Sequence, residues 1–576
     1  MPRPSAYLPP ALERGRTWGF GLNLYALRSK RNWGIGDFTD LRDFVRYAAG
    51  MGAGIVGVNP LHVLHYVEPE AASPYAPTSR YFRNPLYIDI EAVPEYQARD
   101  ERSAKLRAHV ASSEFAETLA ALRSAPAVAY RAVAAVKWPA LEELYAVLRE
   151  RRGERWAEFR AFAERGGERL ERFAIYEAID GSYAREEGRI RGWLTWPSEY
   201  RDASSDAVKQ WAEQERRRVD YFKFLQWVAD EQLQNVSREA AALSIGLYLD
   251  LAVGVELNSA DVWSDPSAYV LDETIGAPPD PLGPFGQNWG LPPPDPLALL
   301  REGGATFAEL LAANMAHAGA LRLDHVMALM RLFCIPQGKT AGEGTYVAYP
   351  FDELLAIAAA ASERARCLIV GEDLGNVPPG FRERLESEGI FSYRLLLFER
   401  DDDGNFRPPS AYPELALATG TTHDLPTLSG WAIASDIDAR ERIGLLPVEV
   451  AAVERQARRI EVSRLIDALR TWGELDEPAF EALHRAIDTR HRDAQAYDPL
   501  VRAAYRFMAR SASRLVLVQL DDAIGEFDQV NLPGTFSEYP NWRRKNSLDL
   551  DEIVRDPRLA ALSTDVRDRV MGGLAK

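Results

Sequence analysis

Three short apolar stretches of the chain each break off at a carboxylate: Ala320-Leu321-Arg322-Leu323-Asp324-His325, Leu368-Ile369-Val370-Gly371-Glu372-Asp373 and Thr419-Gly420-Thr421-Thr422-His423-Asp424. Acids at the ends of buried strands suit cleavage of a glycosidic bond, which needs one carboxylate to attack the anomeric carbon and one acid to protonate the departing oxygen. Arg322 and Asp324 are two apart, so in a strand they project to the same face. With charged ends about 5 Å apart, an effective dielectric near ~20 gives roughly 3 kcal/mol of attraction, which favours the ionised carboxylate. Asp324 is therefore the nucleophile candidate; its structural alternative is an N-cap on Val326-Met327-Ala328-Leu329. Glu372 ends an apolar run with no basic residue within two positions. Apolar burial and like charge both raise a carboxyl pKa, which makes it the proton-donor candidate. Adjacent Asp373 has the same claim from spacing alone, and at least one of the two must anchor the turn before Leu374-Gly375-Asn376. Asp424, beside His423, can hold sugar hydroxyls and stabilise positive charge at an anomeric carbon, or else cap a helix before Leu425-Pro426.

Positioning such acids calls for parallel strands buried on both faces, whose C-terminal ends open where barrel enzymes keep their chemistry. Six apolar runs that stop at a polar residue read as such strands: Gly54 to Pro60, Gly246 to Asp250, the three above, and Arg514 to Asp521. Helix-length sequence lies between most of them, which predicts a (β/α)8 TIM barrel of the α/β class, the eightfold count being an inference from the fold class. Phe38, Leu41, Phe44, Val45 and Ala48 fall at helical spacing before the first run. From about residue 100 to 240 the pattern changes to charge-rich amphipathic helices such as Leu141, Leu144, Tyr145 and Leu148, read as a helical insertion with core-facing stripes. A Pro/Gly-rich loop at about 275 to 293, within a loop insertion at about 256 to 300, carries Trp289 and reads as functional. The expectation is a single catalytic domain over residues 1–576.

Other chemistries fit less well. Gly338-Lys339-Thr340 resembles the tail of a P-loop, but Phe333 stands where the first glycine belongs. His62 with His65, or His484 with His491, completes no metal constellation, and no nucleophile elbow occurs. We expect no metal and no cofactor. Tyr75, Tyr81, Phe82, Tyr87, Tyr346, Tyr349, Trp289 and Trp542 offer flat rings on which sugars pack, although core packing explains any one of them equally well.

With 85 acidic against 68 basic residues in 576, the net charge of −17 disfavours nucleic acid and anionic membranes. No run is long and apolar enough to span a bilayer, and no export segment is visible. The two cysteines, Cys334 and Cys367, are too few for a disulfide framework; lying in apolar surroundings, they read as buried thiols of a cytoplasmic protein.

Together these residues resemble the 4-α-glucanotransferases called amylomaltase or disproportionating enzyme, a branch of the α-amylase-like retaining glycosidases. The matching segments are Asn32-Trp33-Gly34-Ile35-Gly36-Asp37-Phe38, Ser73-Pro74-Tyr75, Asn84-Pro85-Leu86-Tyr87-Ile88-Asp89, Arg322-Leu323-Asp324-His325, Gly371-Glu372-Asp373-Leu374-Gly375, Thr422-His423-Asp424, Asn531-Leu532-Pro533-Gly534-Thr535 and Asn541-Trp542-Arg543, in family order. The resemblance implies Asp324 as nucleophile, Glu372 as general acid/base and Asp424 as transition-state stabiliser. Arg322 and His423 would support the donor sugar, with Tyr75, Asp250, Asp280, Trp289, His325 and Asn531 as further substrate-binding positions. The segment around Asp250, Leu249 to Val255, follows one family branch rather than the commoner Gly-Asp form. The pattern begins near Trp18, so the N-terminal domains of some bacterial relatives are not expected. The implied substrates are malto-oligosaccharides and other α-1,4-glucans, with glucose or maltose as acceptor. The rivals are a retaining α-1,4-glucan hydrolase using the same residues and a noncatalytic glucan-binding barrel. Oligomeric state is not legible.

Overall fold

Eight short parallel strands close into a barrel: β1 (Thr17–Leu22), β2 (Ile55–Val58), β3 (Gly246–Leu251), β4 (Ala320–Leu323), β5 (Leu368–Gly371), β6 (Phe391–Leu395), β7 (Ala416–Thr419) and β8 (Leu515–Gln519). Each pairs with the next in chain order and β8 closes on β1, which is the (β/α)8 arrangement. The structure, a computed structural model, describes residues 5–187, 192–279 and 285–572.

Two strands, β1 and β6, were not among the six expected. Thr17–Leu22 is broken by Gly19 and Gly21, and Phe391–Leu395 alternates apolar residues with Ser392 and Arg394, so neither reads as an uninterrupted apolar run. A third expectation needs correcting. β7 is Ala416–Thr419, upstream of the stretch that carries Asp424, and Gly420 to Asp424 form a loop.

Alternation decides what the barrel encloses. Leu368 and Val370 of β5 join Tyr248, Tyr393, Leu417 and Leu517 in an interior cluster, whereas Ile369 belongs to the outer core against the helices. Gly57 is part of this packing, because a Cβ there would stand 2.7 Å from Cδ1 of Tyr248. A side chain at that position would displace the ring that fills the barrel.

The helix Phe38–Gly50 follows β1 with the expected apolar face buried. Asp37 caps it, accepting from the Thr39 and Asp40 amides, and Asp40 reciprocates as a capping box, a device of about 1 kcal/mol. Between β2 and β3 run the helices Glu101–Val110, Ser113–Ser124, Tyr130–Arg151, Glu154–Glu187 (broken by a kink at Gly167), Asp206–Gln214 and Arg216–Ala240. Leu141, Leu144, Tyr145 and Leu148 are all buried, as their spacing predicted. Arg216–Ala240 packs on Phe38–Gly50 at the barrel wall.

Segments following β3 and β4 build a four-stranded antiparallel sheet in the order Thr345–Ala348, Arg331–Pro336, Glu273–Ala277, Gln287–Asn288. Two short parts of the expected Pro/Gly-rich loop, residues 275–277 and Gln287–Asn288, are thus paired strands of this sheet. Cys334 and Cys367 are free and buried. Among the described residues no helix is long and apolar enough to cross a membrane.

Candidate active site

Register places the first charged pair. Asp250 on β3 and Arg322 on β4 are cross-strand partners. Arg322 Nη1 donates to Asp250 Oδ1 at 2.8 Å and Oδ2 at 2.9 Å, and stands 2.9 Å from Asp324 Oδ1. The expected Arg322–Asp324 attraction is therefore present, at closer range than 5 Å, but one guanidinium serves both acids. Burial acts to raise the Asp250 pKa, Arg322 opposes it, and the net shift is upward. Arg322 is nine-tenths buried, so this pair is held out of bulk water, where charges interact most strongly.

Asp324 lies just past β4, with Oδ2 accepting the Val253 amide at 3.4 Å. The capping alternative fails: the 3-10 turn Val326–Leu329 has no side-chain cap, and His325 ahead of it takes the left-handed conformation at φ 44°. That backbone costs a non-glycine residue on the order of 1–3 kcal/mol, and such residues cluster where function over-determines them. The His325 amide donates to Glu372 Oε2 at 2.8 Å, and the left-handed turn at His325 brings the next amide, of Val326, onto the Glu372 carbonyl at 3.0 Å. Burial pushes the His325 imidazole down to about 4.

Glu372 follows Gly371, whose register partner is Leu323, so the two candidate acids extend neighbouring parallel strands one step past their last pair. Adjacent strands are about 4.8 Å apart. Continuing the alternation, Glu372 shares the interior parity of Leu368 and Val370, and Asp373 the outer parity of Ile369. Sequence spacing left these two acids equal; the barrel separates them. Burial is the main cause that pushes Glu372 up to about 7, with Arg322 lowering and Asp324 raising its proton affinity. Asp373 is fully buried away from the cleft on Arg382, Ser392 and the Tyr393 amide.

Asp424 arrives differently. Its loop is folded by Thr421 Oγ1, which donates to the Pro426 carbonyl at 2.8 Å, and by Thr422 Oγ1, which accepts the Asp424 amide at 3.3 Å. It caps no helix, since Thr427 caps Leu428–Ala432. Its carboxylate, 47% exposed, lies 3.2 Å from His423 Nε2 and accepts from Asn531 Nδ2 at 2.6 Å. Desolvation acts to raise its pKa, but His423 and Asn531 outweigh this and hold it below the usual carboxylate range. His423 is correspondingly raised, Asp424 overcoming the effect of burial.

Tyr75 joins the two sides. Its hydroxyl donates to Asp250 Oδ2 at 2.6 Å, and its ring stacks on His423 with centroids 4.6 Å apart. Trp289 packs edge-on against His325 at 5.2 Å, beside Asp324. Asp280 lies outside the described residues. Trp542, for which the sequence left a sugar platform and core packing equally open, is buried behind Tyr75 and His423, 5.4 and 5.2 Å from their rings. Tyr87 and Tyr349 are buried too, and Phe82 stacks on Phe173.

A cavity of about 70 Å³ opens at this end of the barrel. Tyr75, Asp250, Arg322 and His423 line it, whereas Asp324, Glu372 and Asp424 do not; it is also lined by Asn23, Asn59, Tyr248, Tyr393, Gln519 and Asp521, none singled out from the sequence as site residues. The available signal was parity: Tyr248 precedes Asp250 by two, and Asn59 and Gln519 end or follow strands on the inward side. Burial raises Asp521 to about 7 even though it accepts from Asn546 and Asn23. Among the described residues no three His, Cys, Asp or Glu side chains are grouped to hold a metal ion. His65 pairs with Glu256 at 2.6 Å, and His62 Nε2 accepts the Ala252 amide at 3.3 Å.

The fold and site define a (β/α)8 protein with acids gathered at the C-terminal mouth of its barrel. A family model described as 4-alpha-glucanotransferase, glycoside hydrolase family 77, matches residues 22–549. A 4-alpha-glucanotransferase of Haemophilus influenzae is 40% identical over 568 residues, covering 96% of this chain and 79% of that protein. One of Mycobacterium tuberculosis is 36% identical over 579 residues, covering 97% and 76%. The crystal structure of amylomaltase from Corynebacterium glutamicum superposes with a TM-score of 0.83 at 30% identity, covering 96% of this chain and 75% of that one. Amylomaltase from Streptococcus agalactiae in complex with acarbose shares the fold, with a TM-score of 0.73 at 19% identity over 96% and 99%. The chain belongs to the 4-alpha-glucanotransferase family of glucan-processing enzymes.

Proposed function

We propose that this chain transfers α-1,4-glucan segments between malto-oligosaccharides by retaining double displacement. The observation that carries the reading is the placement of Asp324 and Glu372 at adjoining strand ends, one paired with Arg322 and the other buried with its pKa pushed up to about 7. Retention requires two carboxyls about 5 to 5.5 Å apart, which side chains on strands about 4.8 Å apart can meet.

Asp324 attacks the anomeric carbon of the donor while protonated Glu372 gives its proton to the departing glycosidic oxygen. The scissile C–O bond breaks, and a glycosyl ester of Asp324 forms. Glu372, now a carboxylate, takes the proton of the 4-hydroxyl of an acceptor such as glucose or maltose. That oxygen displaces Asp324, and the configuration at the anomeric carbon is retained. Asp424 and His423 hold donor hydroxyls and stabilise the positive charge that builds on the ring. Arg322, Asp250 and Tyr75 form the floor beneath the donor sugar, His325 and Asn531 are further substrate-binding positions that also touch Glu372 and Asp424, and Trp289 offers a ring beside the cleft. Asp280 takes its role from family resemblance alone. The same reading makes the chain one catalytic domain with an inserted helical region, working in the cytoplasm, where two free thiols persist.

Maltotriose is the test. Transfer yields a ladder of longer oligosaccharides together with glucose, and Asp324→Ala abolishes it. Exclusively shorter products would replace this reading by hydrolysis, and normal turnover of Asp324→Ala would end the site assignment.

A further inference from the structure

Glu372 and Asp373 are consecutive, yet they are held by different parts of the barrel. Both oxygens of the Glu372 carboxylate accept backbone amides: Oε2 from His325 at 2.8 Å and Oε1 from Leu374 at 3.0 Å. The first amide belongs to His325, whose backbone is left-handed, and Glu372 also receives the Val326 amide on its own carbonyl at 3.0 Å. The second amide lies in the turn beyond β5, and what fixes that turn is Asp373. Asp373 Oδ1 accepts the Tyr393 amide at 2.9 Å, Oδ2 accepts Ser392 Oγ and, at 2.7 Å, Arg382 Nε, and Arg394 stands 3.8 Å away. Arg382 also donates to the Asp373 backbone carbonyl at 2.8 Å. Every contact on this side chain comes from β6 or from the helix Phe381–Ser387.

We propose that Asp373 is a positioning residue for the acid/base step: by pinning the turn after β5 to β6, it holds the Leu374 amide on Glu372 and fixes the direction of the Glu372 carboxyl. The inference rests on the acid/base reading of Glu372 given above. Two amides on one carboxylate stabilise its ionised form, which opposes burial. The groups facing Glu372 are Arg322 and Asp324 from β4, Tyr393 from β6 and Tyr248 from β3. Arg322, Asp324 and Tyr248 make no hydrogen bond or ion pair with Asp373, whereas Tyr393 is held by it through its amide; releasing the Leu374 amide therefore raises the proton affinity of Glu372 and lets its carboxyl wander.

The experiment is maltotriose disproportionation by Asp373→Ala, Asp373→Asn and Arg382→Ala across pH 5 to 9 (roughly the range bracketing a carboxyl shifted toward neutrality), with thermal melts in parallel. For Asp373→Ala we expect kcat to fall about 10²-fold, the cost of a small misplacement of a reacting group. KM should stay within about threefold, and the basic limb of the kcat profile should move up by about half a unit or more. Asp373→Asn, which keeps an acceptor for the Tyr393 amide, should retain more activity, and Arg382→Ala, at an arginine 40% exposed, should fold and show the smallest loss. A purely structural role would lower the melting temperature without moving the pH limb. If folded Asp373→Ala keeps the wild-type kcat and limb, the proposal fails. Should that variant not fold, the same result from Asp373→Asn and Arg382→Ala overturns it. Glu372→Gln separates the two layers: its retained turnover would remove the acid/base reading itself, whereas an inactive Glu372→Gln beside unaltered Asp373 and Arg382 variants would remove only the positioning role.

Discussion

The two walls of this cleft are built by different means. On one, Asp250, Arg322, Asp324 and Glu372 stand on or just past three adjacent strands, where register alone sets which side chains meet. On the other, His423 and Asp424 sit in a loop whose acid is held by Asn531, a residue 107 positions later. On the strand wall Asp250 and Glu372 are buried and raised chiefly by desolvation, while the loop-set acid is 47% exposed and governed by its hydrogen-bond partners. The same residue type is therefore tuned in opposite directions: Glu372 is pushed up, and Asp424 is drawn down.

The sharpest break of this contrast is removal of the acids themselves. Asp324→Asn should lower kcat by about 10⁴-fold or more, since no other group replaces a covalent nucleophile. Asp424→Asn, which keeps one acceptor oxygen but loses the charge and the second acceptor, should cost about 10²- to 10³-fold, the scale of losing one transition-state stabiliser. Equal losses in steady-state transfer assays would erase the distinction between the walls.

Stability should separate them by sign. The folded-state pKa of Glu372 is raised, so its stabilisation is complete below the unfolded value near ~4.3 and is lost as pH rises through about 7. Relative to wild type, Glu372→Gln should gain up to roughly 3 kcal/mol between pH ~4 and ~8 in denaturant titrations. Asp424 is shifted the other way: its contribution is present above the unfolded value and lost on acidification through the lowered one. Asp424→Asn should therefore lose stability relative to wild type as pH rises through the acid range. The same slope for both variants would contradict the assignment of opposite environments.

The smallest effect is expected where the loop wall is merely supported. Asn531→Ala leaves Asp424 its His423 partner, so kcat should fall about tenfold, with one charge-assisted hydrogen bond lost. A loss matching that of Asp424→Asn would mean that the loop acid has no support but Asn531.

The strand wall was the more legible of the two. Arg322 and Asp324 share a face because strands alternate, and the apolar run before Glu372 announced its burial. β6 was invisible because Ser392 and Arg394 give it a mixed pattern, and both are there to face Asp373 on the outer side. Asp424 was seen but placed at a strand end, since Gly-Thr-Thr does not show how far a loop runs before its acid. Between platform and core the sequence could not choose for Trp542, which is the backing of Tyr75 and His423, because burial depends on what the remainder of the chain lays over it.

The chain's own order of residues determined that apolar strands would end in acids, and by resemblance which acids those are, because both are patterns within a few neighbouring positions. Only closure of the barrel decided that Glu372 points in and Asp373 out, that Arg322 serves Asp250 as well as Asp324, and that Asn531 reaches Asp424. Those outcomes depend on strand register and on contacts between distant segments, and neither exists until the eight strands meet.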